Sequence, residues 1–460
     1  MLTRSVAVIG TGYVGLTTGA CLASLGHQVT CADRDQAKVD QLRRGEVPIR
    51  EPRLPELVTD GLAAGRLRFV VDAVDAVREA EVVYLCLPTP MGVGGVADLS
   101  EVEDVLARIR DALPAGCVVV NKSTVPVGTA TRTRQLLGRD DLAVVSNPEF
   151  LREGSAVQDF MNPDRIVVGS DRPDSADRVV ALYAGLGAPA VLTDVASAEL
   201  MKYAANCFLA MKVSYVNAIA ELCERLDANV RDVTEGMGYD PRIGRSFLSP
   251  GPGWGGSCLP KDVHALLQAS DEADFEFRLL RATIDTNERQ FQRIVGKIRL
   301  AATGSRQGSL RKLRIGLLGL TFKAGTDDLR DSPALVVAAL LRQAGADLQG
   351  YDPAVTAPDH PGLAGIALAD DPLLAAKDAD VLVVLTEWPE FRDLDWARLA
   401  EVVANRVVVD ARNLLDPGTL SRAGFSYHSL GSAPRRPEAG PRRHQGLDLD
   451  DRRSGSRPLG

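Results

Sequence analysis

Gly10-Thr-Gly-Tyr-Val-Gly15 says more about the possible fold than any other stretch of this chain, because of what stands on either side of it. An apolar run at 4–10 leads into it, a helical pattern follows to about Leu25, and a second apolar run at 28–32 ends at Asp33, 18 residues beyond Gly15. A Gly-x-Gly-x-x-Gly alone is weak. Between a strand and a helix, with a carboxylate about 20 residues on, it specifies a parallel βαβ unit that binds a dinucleotide. Gly10 permits the tight turn, Gly12 lets backbone amides approach a pyrophosphate, and Gly15 lets the helix pack close to the strand. Tyr13 and Val14 share that turn. Asp33 would accept hydrogen bonds from the adenosine ribose and repel a 2′-phosphate, which favours NAD over NADP; the adjacent Arg34 weakens that discrimination. Lys38 could also reach the cofactor, although a surface lysine there is common.

Further apolar runs at 82–87, 118–121 and 142–146, separated by helical stretches, extend the unit into a doubly wound parallel sheet. Polar loops follow these runs: Pro88-Thr89-Pro90, Lys122-Ser-Thr-Val-Pro126 and Asn147-Pro-Glu-Phe150. Ligands of such sheets sit beyond the carboxyl ends of the strands, where these loops fall. Residues 197–229 contain neither Gly nor Pro and predict one long helix. Helical character resumes after Pro260 and runs to about Ala302, and 303–309 reads as a linker. A second α/β pattern begins at Lys312. The run at 313–319 ends in glycine as the first does, Gly350-Tyr-Asp-Pro353 corresponds to Ala32-Asp33, and 379–385 corresponds to 81–87. The expected fold is α/β: two Rossmann-like, doubly wound parallel-sheet domains joined by a long central helix and a helical middle region. The divisions are 1–196 for the dinucleotide, 197–302 for the helical middle, 303–430 for the second Rossmann-like half, and 431–460 as a disordered tail. That tail has seven arginines against four acidic residues and almost no apolar content.

A formal charge of −8 excludes the net basic surface that nucleic-acid binding requires. No apolar run approaches the roughly 18–20 residues of a membrane span, so a cytoplasmic protein with no membrane partner is expected. The five histidines and seven cysteines show no metal-ligand spacing and no Cys-x-x-Cys pair, so neither a metal site nor a disulfide framework is expected. Cys21, Cys31, Cys86, Cys117, Cys207 and Cys223 lie in apolar stretches and read as small buried hydrophobes.

Cys258 has a different setting, Gly251-Pro-Gly-Trp-Gly-Gly-Ser-Cys258-Leu-Pro-Lys-Asp262. The glycines would let backbone approach a ligand, and Pro260 suits the first position of a helix. A thiol just before that helix, near Lys261, should favour the thiolate, so Cys258 is a candidate nucleophile, against the alternative of a buried structural thiol. Asp262 could join the same site. Lys202 and Asn206, four apart on the long helix, share a face and could stabilise an oxyanion if that face meets Cys258; otherwise they are an ordinary solvated pair.

Together these motifs resemble the UDP-glucose/GDP-mannose dehydrogenase family over about residues 4–430. They also include Asn147-Pro-Glu-Phe-Leu-Arg-Glu-Gly154, Gly319-Leu-Thr-Phe-Lys323 and Thr326-Asp-Asp-x-Arg330. The resemblance implies a four-electron oxidation of a nucleotide sugar with two NAD, in which Cys258 forms a thiohemiacetal and then a thioester. It implies that Lys202 and Asn206 stabilise the oxyanion, that Asp262 and Thr124 position or deprotonate water, and that Glu149 acts in thioester hydrolysis. Glu153 falls at the cofactor–substrate boundary. Thr89, Thr124, Lys261 and Arg330 resemble cofactor contacts. Phe150, Leu151, Arg152 and Glu153, together with Phe247, Leu248, Ser249, Pro250, Gly251 and Gly255, resemble substrate-contacting segments, and Lys323 resembles a residue that binds the sugar nucleotide. Arg242 matches an arginine that reaches a neighbouring subunit's substrate, which implies at least a homodimer. Asp240-Pro-Arg-Ile-Gly244 and Trp254 resemble the UDP-glucose branch. A GDP-mannose enzyme and a catalytically silent nucleotide-sugar-binding protein remain alternatives.

Overall fold

The computed structural model describes residues 3–92, 97–355 and 358–435. Its first sheet contains β1 (Ser5–Ile9), β2 (Gln28–Ala32), β3 (Leu67–Val70), β4 (Val82–Leu85), β5 (Val118–Asn121), β6 (Ala143–Ser146), β7 (Ile166–Ser170) and β8 (Ala190–Thr193). The spatial order is β3-β2-β1-β4-β5-β6-β7-β8. Successive side chains of β1 face opposite sides of the sheet, so Val6 and Val8 enter one apolar layer while Ala7 and Ile9 enter the other. A strand buried on both faces reads as a continuous apolar run, which is why β1, β4, β5 and β6 are recognisable in the sequence.

Strand order reverses between β1 and β4, and the crevice there opens beside Gly10 and Cys86. The expectation of a wholly parallel sheet fails at one pair: β7 runs antiparallel to β6. The chain leaves β6, turns through the short helix Ala156–Met161, and re-enters the sheet from the same end. This return leaves the whole 147–165 connection on the rim where ligands of such sheets bind.

The second sheet contains β9 (Arg314–Leu318), β10 (Asp347–Tyr351), β11 (Ile366–Leu368), β12 (Val381–Val384), β13 (Val407–Asp410) and β14 (Ser426–Ser429), in the order β11-β10-β9-β12-β13-β14, all parallel. The architectural repeat extends to individual bonds. The Gly10 amide donates to the Ala32 carbonyl at 2.8 Å, as the Gly319 amide does to that of Tyr351 at 2.8 Å. Asp33 accepts the Thr11 amide and hydroxyl, and Asp352 accepts the amides of Leu320 and Thr321 and the Thr321 hydroxyl. Asp352 also takes the Trp388 indole at 3.0 Å and is buried, so in the second half this carboxylate is consumed by the fold.

Between the sheets runs the helix Val195–Leu226, capped by Asp194 on the Ser197 amide and ended by Asp227 in the left-handed region at φ 56°. The helical stretch expected after Pro260 to about Ala302 is formed by two helices, Leu259–Glu272 and Arg278–Thr303. Asp274, at φ 53°, reverses the chain between them, and Phe275 packs edge-on against Phe277 in the turn. Order also continues past the expected start of the tail. The Gly431 amide donates to Glu224 at 2.8 Å, its carbonyl accepts the Val230 amide at 2.9 Å, and Arg435 pairs with Tyr427. The rest of the tail, 436–460, lies outside the described residues.

Candidate active site

A cavity of about 940 Å³ occupies the β1/β4 crevice and extends to Cys258. Gly10, Gly12, Tyr13, Val14, Asp33, Lys38, Thr89 and Thr124 line one part of it, and Glu149, Leu151, Glu153, Cys258, Lys261 and Arg330 the other. Gly15 lies beneath the floor: a Cβ there would stand 1.9 Å from the Gly10 carbonyl oxygen. A Cβ at Gly12 would meet nothing within 4 Å, so that position opens into free space at the first turn of a helix, whose leading amides have no intrahelical partner. A diphosphate fits such a place. Burial alone would raise the Asp33 carboxyl, but bonds from Thr11 and Lys38 and from the Asp35 amide bring it down to about 2. Lys38, at 2.9 Å from Asp33, spends its charge on that carboxylate. The residues therefore suit a dinucleotide whose ribose meets an anion.

Cys258 caps the helix Leu259–Glu272, so Leu259 takes the first helical position and Pro260 the second, one later than expected. The thiol is exposed to the cleft. The other six cysteines are buried, as their apolar settings indicated. The expected activation of Cys258 is not what the charges produce. Desolvation by the surrounding protein and the nearby Glu149 carboxylate push the thiol up, Asp262 adds to that push, and Lys202 and Ser257 oppose them. Lys261 is no free cation beside the sulfur, since its ammonium lies 2.5 Å from Asp262.

The polar face of the long helix does meet this cysteine. Lys202 and Asn206 are both buried there. The Asn206 amide donates to Asp262 at 2.6 Å, and the Lys202 ammonium sits 3.1 Å from Glu149, which also accepts the Leu151 amide at 2.6 Å. Burial would lower the Lys202 ammonium, yet Glu149, Cys258 and Asp262 together raise it, so it stays charged. Phe150 lies between Lys202, 5.2 Å from its ring centroid, and Arg165 at 3.5 Å. Thr124 is fixed from above, its carbonyl accepting the Thr89 hydroxyl at 2.9 Å.

Glu153 stands where the cavity reaches the second half of the chain. It accepts Ser257 at 3.1 Å, Thr326 at 3.3 Å and Arg330 at 3.3 Å. Burial and the facing Asp328 push its carboxyl up to about 7, against Arg330, Ser257 and Lys323. Lys323 itself is lowered by burial.

The glycine loop is held by protein. Asn217 accepts the Gly251 amide at 2.8 Å, Gln290 donates to the Gly251 carbonyl at 2.7 Å, and the Trp254 indole donates to Ser214 at 2.9 Å. Trp254 is thus a core residue of the helical middle, beside Tyr203 and Val263. A Cβ on Gly255 would lie 2.1 Å from the Asp331 carbonyl, so this glycine is required for contact with the second half.

Several expected substrate residues stand apart from the cavity within one chain. Arg152 pairs with Asp159 at 2.6 Å. Arg242 is exposed on the surface and forks onto Asp240 at 2.6 Å. Phe247 and Ser249 are exposed, whereas Leu248 and Pro250 are buried. Sequence reasoning missed Ser257, Asp328, Arg165 and Glu51. Ser257 and Asp328 lay inside quoted motifs, but Arg165 and Glu51 reach the site from segments with no local signal.

Comparison with known proteins agrees with this geometry. Residues 4–187 match the NAD binding domain of the UDP-glucose/GDP-mannose dehydrogenase family, 196–289 its central domain, and 316–417 its UDP binding domain. UDP-glucose 6-dehydrogenase of Rhizobium meliloti (strain 1021) is 45% identical, covering 93% of this chain and 99% of its own. UDP-glucose 6-dehydrogenase TuaD of Bacillus subtilis (strain 168) is 41% identical over 97% and 98%. Among solved structures, a UDP-glucose dehydrogenase from Pyrobaculum islandicum superposes with a TM-score of 0.85 at 34% identity, covering 94% of this chain and 98% of its own. Three consecutive domain matches, full-length relatives and a cavity that joins a dinucleotide crevice to a lone exposed thiol lead to one conclusion: this chain belongs to the UDP-glucose/GDP-mannose dehydrogenase family.

Proposed function

We propose that this chain is a UDP-glucose 6-dehydrogenase, oxidising the C6 alcohol of UDP-glucose to the carboxylate of UDP-glucuronate. The observation that carries the reading is Cys258, placed where the dinucleotide cavity meets the buried Lys202, Asn206, Asp262 and Glu149. The Gly10–Gly15 turn, Asp33, Thr89, Lys261 and Arg330 would hold NAD, and two NAD in succession would each accept one hydride.

All other work falls to the chain. Cys258 adds to the C6 aldehyde: a carbon–sulfur bond forms, and the former carbonyl oxygen takes negative charge beside the Lys202 ammonium and the Asn206 amide. The thiol proton passes to a neighbouring carboxylate, Glu149 or Asp262, since the sulfur is held protonated at rest. After the second oxidation the sugar is a thioester on Cys258. Water ordered by Thr124 and deprotonated by Asp262 or Glu149 adds to it, the carbon–sulfur bond breaks, and the thiol recovers its proton. Residues 1–196 thus serve the dinucleotide, 197–302 the chemistry and 303–430 the nucleotide sugar. The relatives named UDP-glucose 6-dehydrogenase, at 45% and 41% identity, favour uridine over guanosine.

A homodimer also belongs to this reading. Phe208, Tyr215 and Leu222 are exposed seven residues apart on the long helix, with Leu200 and Leu226 at either end, a stripe suited to a second copy. Seven free thiols favour the reducing cytoplasm. Among the described residues no helix is long and apolar enough to cross a membrane.

The test is a panel of nucleotide sugars with NADH as readout. UDP-glucose should be oxidised with two NADH per sugar. Turnover of GDP-mannose alone, or one NADH per sugar, would refute the assignment. Cys258→Ser should abolish uronate formation while NAD binding survives; uronate made at the wild-type rate would remove the covalent route.

A further inference from the structure

Glu51 lies outside the cavity and in no recognised motif, yet it is buried and joins two parts of the active site. One carboxylate oxygen accepts the Tyr13 hydroxyl and the Gly154 amide, the latter at 2.8 Å, and the other accepts the Val157 amide at 3.3 Å. Tyr13 lines the dinucleotide cavity. Gly154 follows Glu153, and a Cβ on it would stand 3.0 Å from the Gly325 carbonyl of the second half. The preceding residue continues the span: the Arg50 guanidinium lies 5.5 Å from the Trp388 ring centroid and 3.4 Å from the Pro353 carbonyl.

A buried carboxylate that, among the described residues, accepts only from groups of the cofactor wall and of the 153–157 loop holds those two parts at a fixed distance. Building on the dehydrogenase reading above, we infer that Glu51 is a positioning residue that couples the cofactor wall at Tyr13 to the Glu153–Val157 loop, so that dinucleotide binding and the placement of Glu153 depend on one hydrogen-bonded junction. Glutamine at 51 keeps the shape but turns an acceptor into a donor that faces amide N–H groups. Tyr13→Phe removes a single hydroxyl.

The experiment compares full-length wild type, Glu51→Gln, Tyr13→Phe and the double variant, varying NAD at saturating UDP-glucose, with NADH binding followed separately by fluorescence. Glu51→Gln should raise the KM for NAD and weaken NADH binding by about tenfold or more, as expected for loss of hydrogen bonds to a charged group. Tyr13→Phe should move both quantities in the same direction by less. The double variant should resemble Glu51→Gln alone, because both changes cut one junction. A generally weakened fold would instead lower kcat at unchanged KM. Wild-type KM for NAD in Glu51→Gln, or effects of the two variants that multiply, would overturn the inference. Should Glu51→Gln not fold, a wild-type KM for NAD in Tyr13→Phe overturns it equally. A wild type that binds NADH but does not oxidise UDP-glucose would sink the functional assignment, while the binding series would still decide the role of Glu51.

Discussion

Replacing Glu149 by glutamine probes the most highly charged part of the site. Glu149 and Lys202 are both buried and 3.1 Å apart, so the pair is not one of the solvent-exposed contacts worth about 0–1 kcal/mol. Breaking a buried pair by removing one partner typically costs about 3–5 kcal/mol, because the other charge is left uncompensated. Asp262 still faces Lys202, which argues for the lower end, about 3 kcal/mol at pH 7. The pH dependence has a definite sign. In the wild type Lys202 is raised, so its contribution is present below the unfolded lysine value of about 10.4 and fades only as pH climbs past the folded value. Without Glu149, burial pulls Lys202 down and the folded state holds that proton more weakly than the unfolded chain does. The loss is then full at neutral pH and shrinks as pH approaches about 10. Urea unfolding of wild type, Glu149→Gln and Glu149→Gln/Lys202→Met at neutral and alkaline pH would measure it. The double variant, with no stranded charge, should regain stability while remaining inactive. A loss below about 1 kcal/mol, or one equal at both pH values, would refute the argument.

Gly12→Ala should melt like wild type while binding NADH less tightly, whereas Gly15→Ala should lower the melting temperature, because only the second Cβ strikes backbone. Equal melting of the two would contradict the packing described. The raised Cys258 thiol should react with iodoacetamide more slowly than a free cysteine at pH 7 and accelerate with pH beyond the ordinary thiol range; a pH-independent rate would show a standing thiolate. Tyr215→Glu should shift the protein toward monomer in light scattering, since Tyr215 sits mid-stripe on the long helix, and an unchanged mass would exclude that face as the interface.

Much of the fold was legible because doubly buried strands write themselves as apolar runs and the Gly10–Gly15 turn leaves few alternatives. The edge strand β3 was not, since the exposed Arg68 interrupts its apolar run. Nor was the reversal at β7, which depends on where the 147–165 loop returns to the sheet. The break at 273–277 was hidden because a single left-handed aspartate, Asp274, turns the chain where composition still favours helix.

The candidate site divides in the same way. Sequence by itself determined the dinucleotide turn, the i, i+4 pairing of Lys202 with Asn206, and Cys258 at a helix start, because each is a local relation along the chain. Tertiary structure alone decided that Lys261 serves Asp262, that Cys258 rests as a thiol, and that Glu51 reaches Gly154 across 103 residues. Charge and hydrogen bonding act through space over a few ångströms, and a linear sequence does not contain those distances.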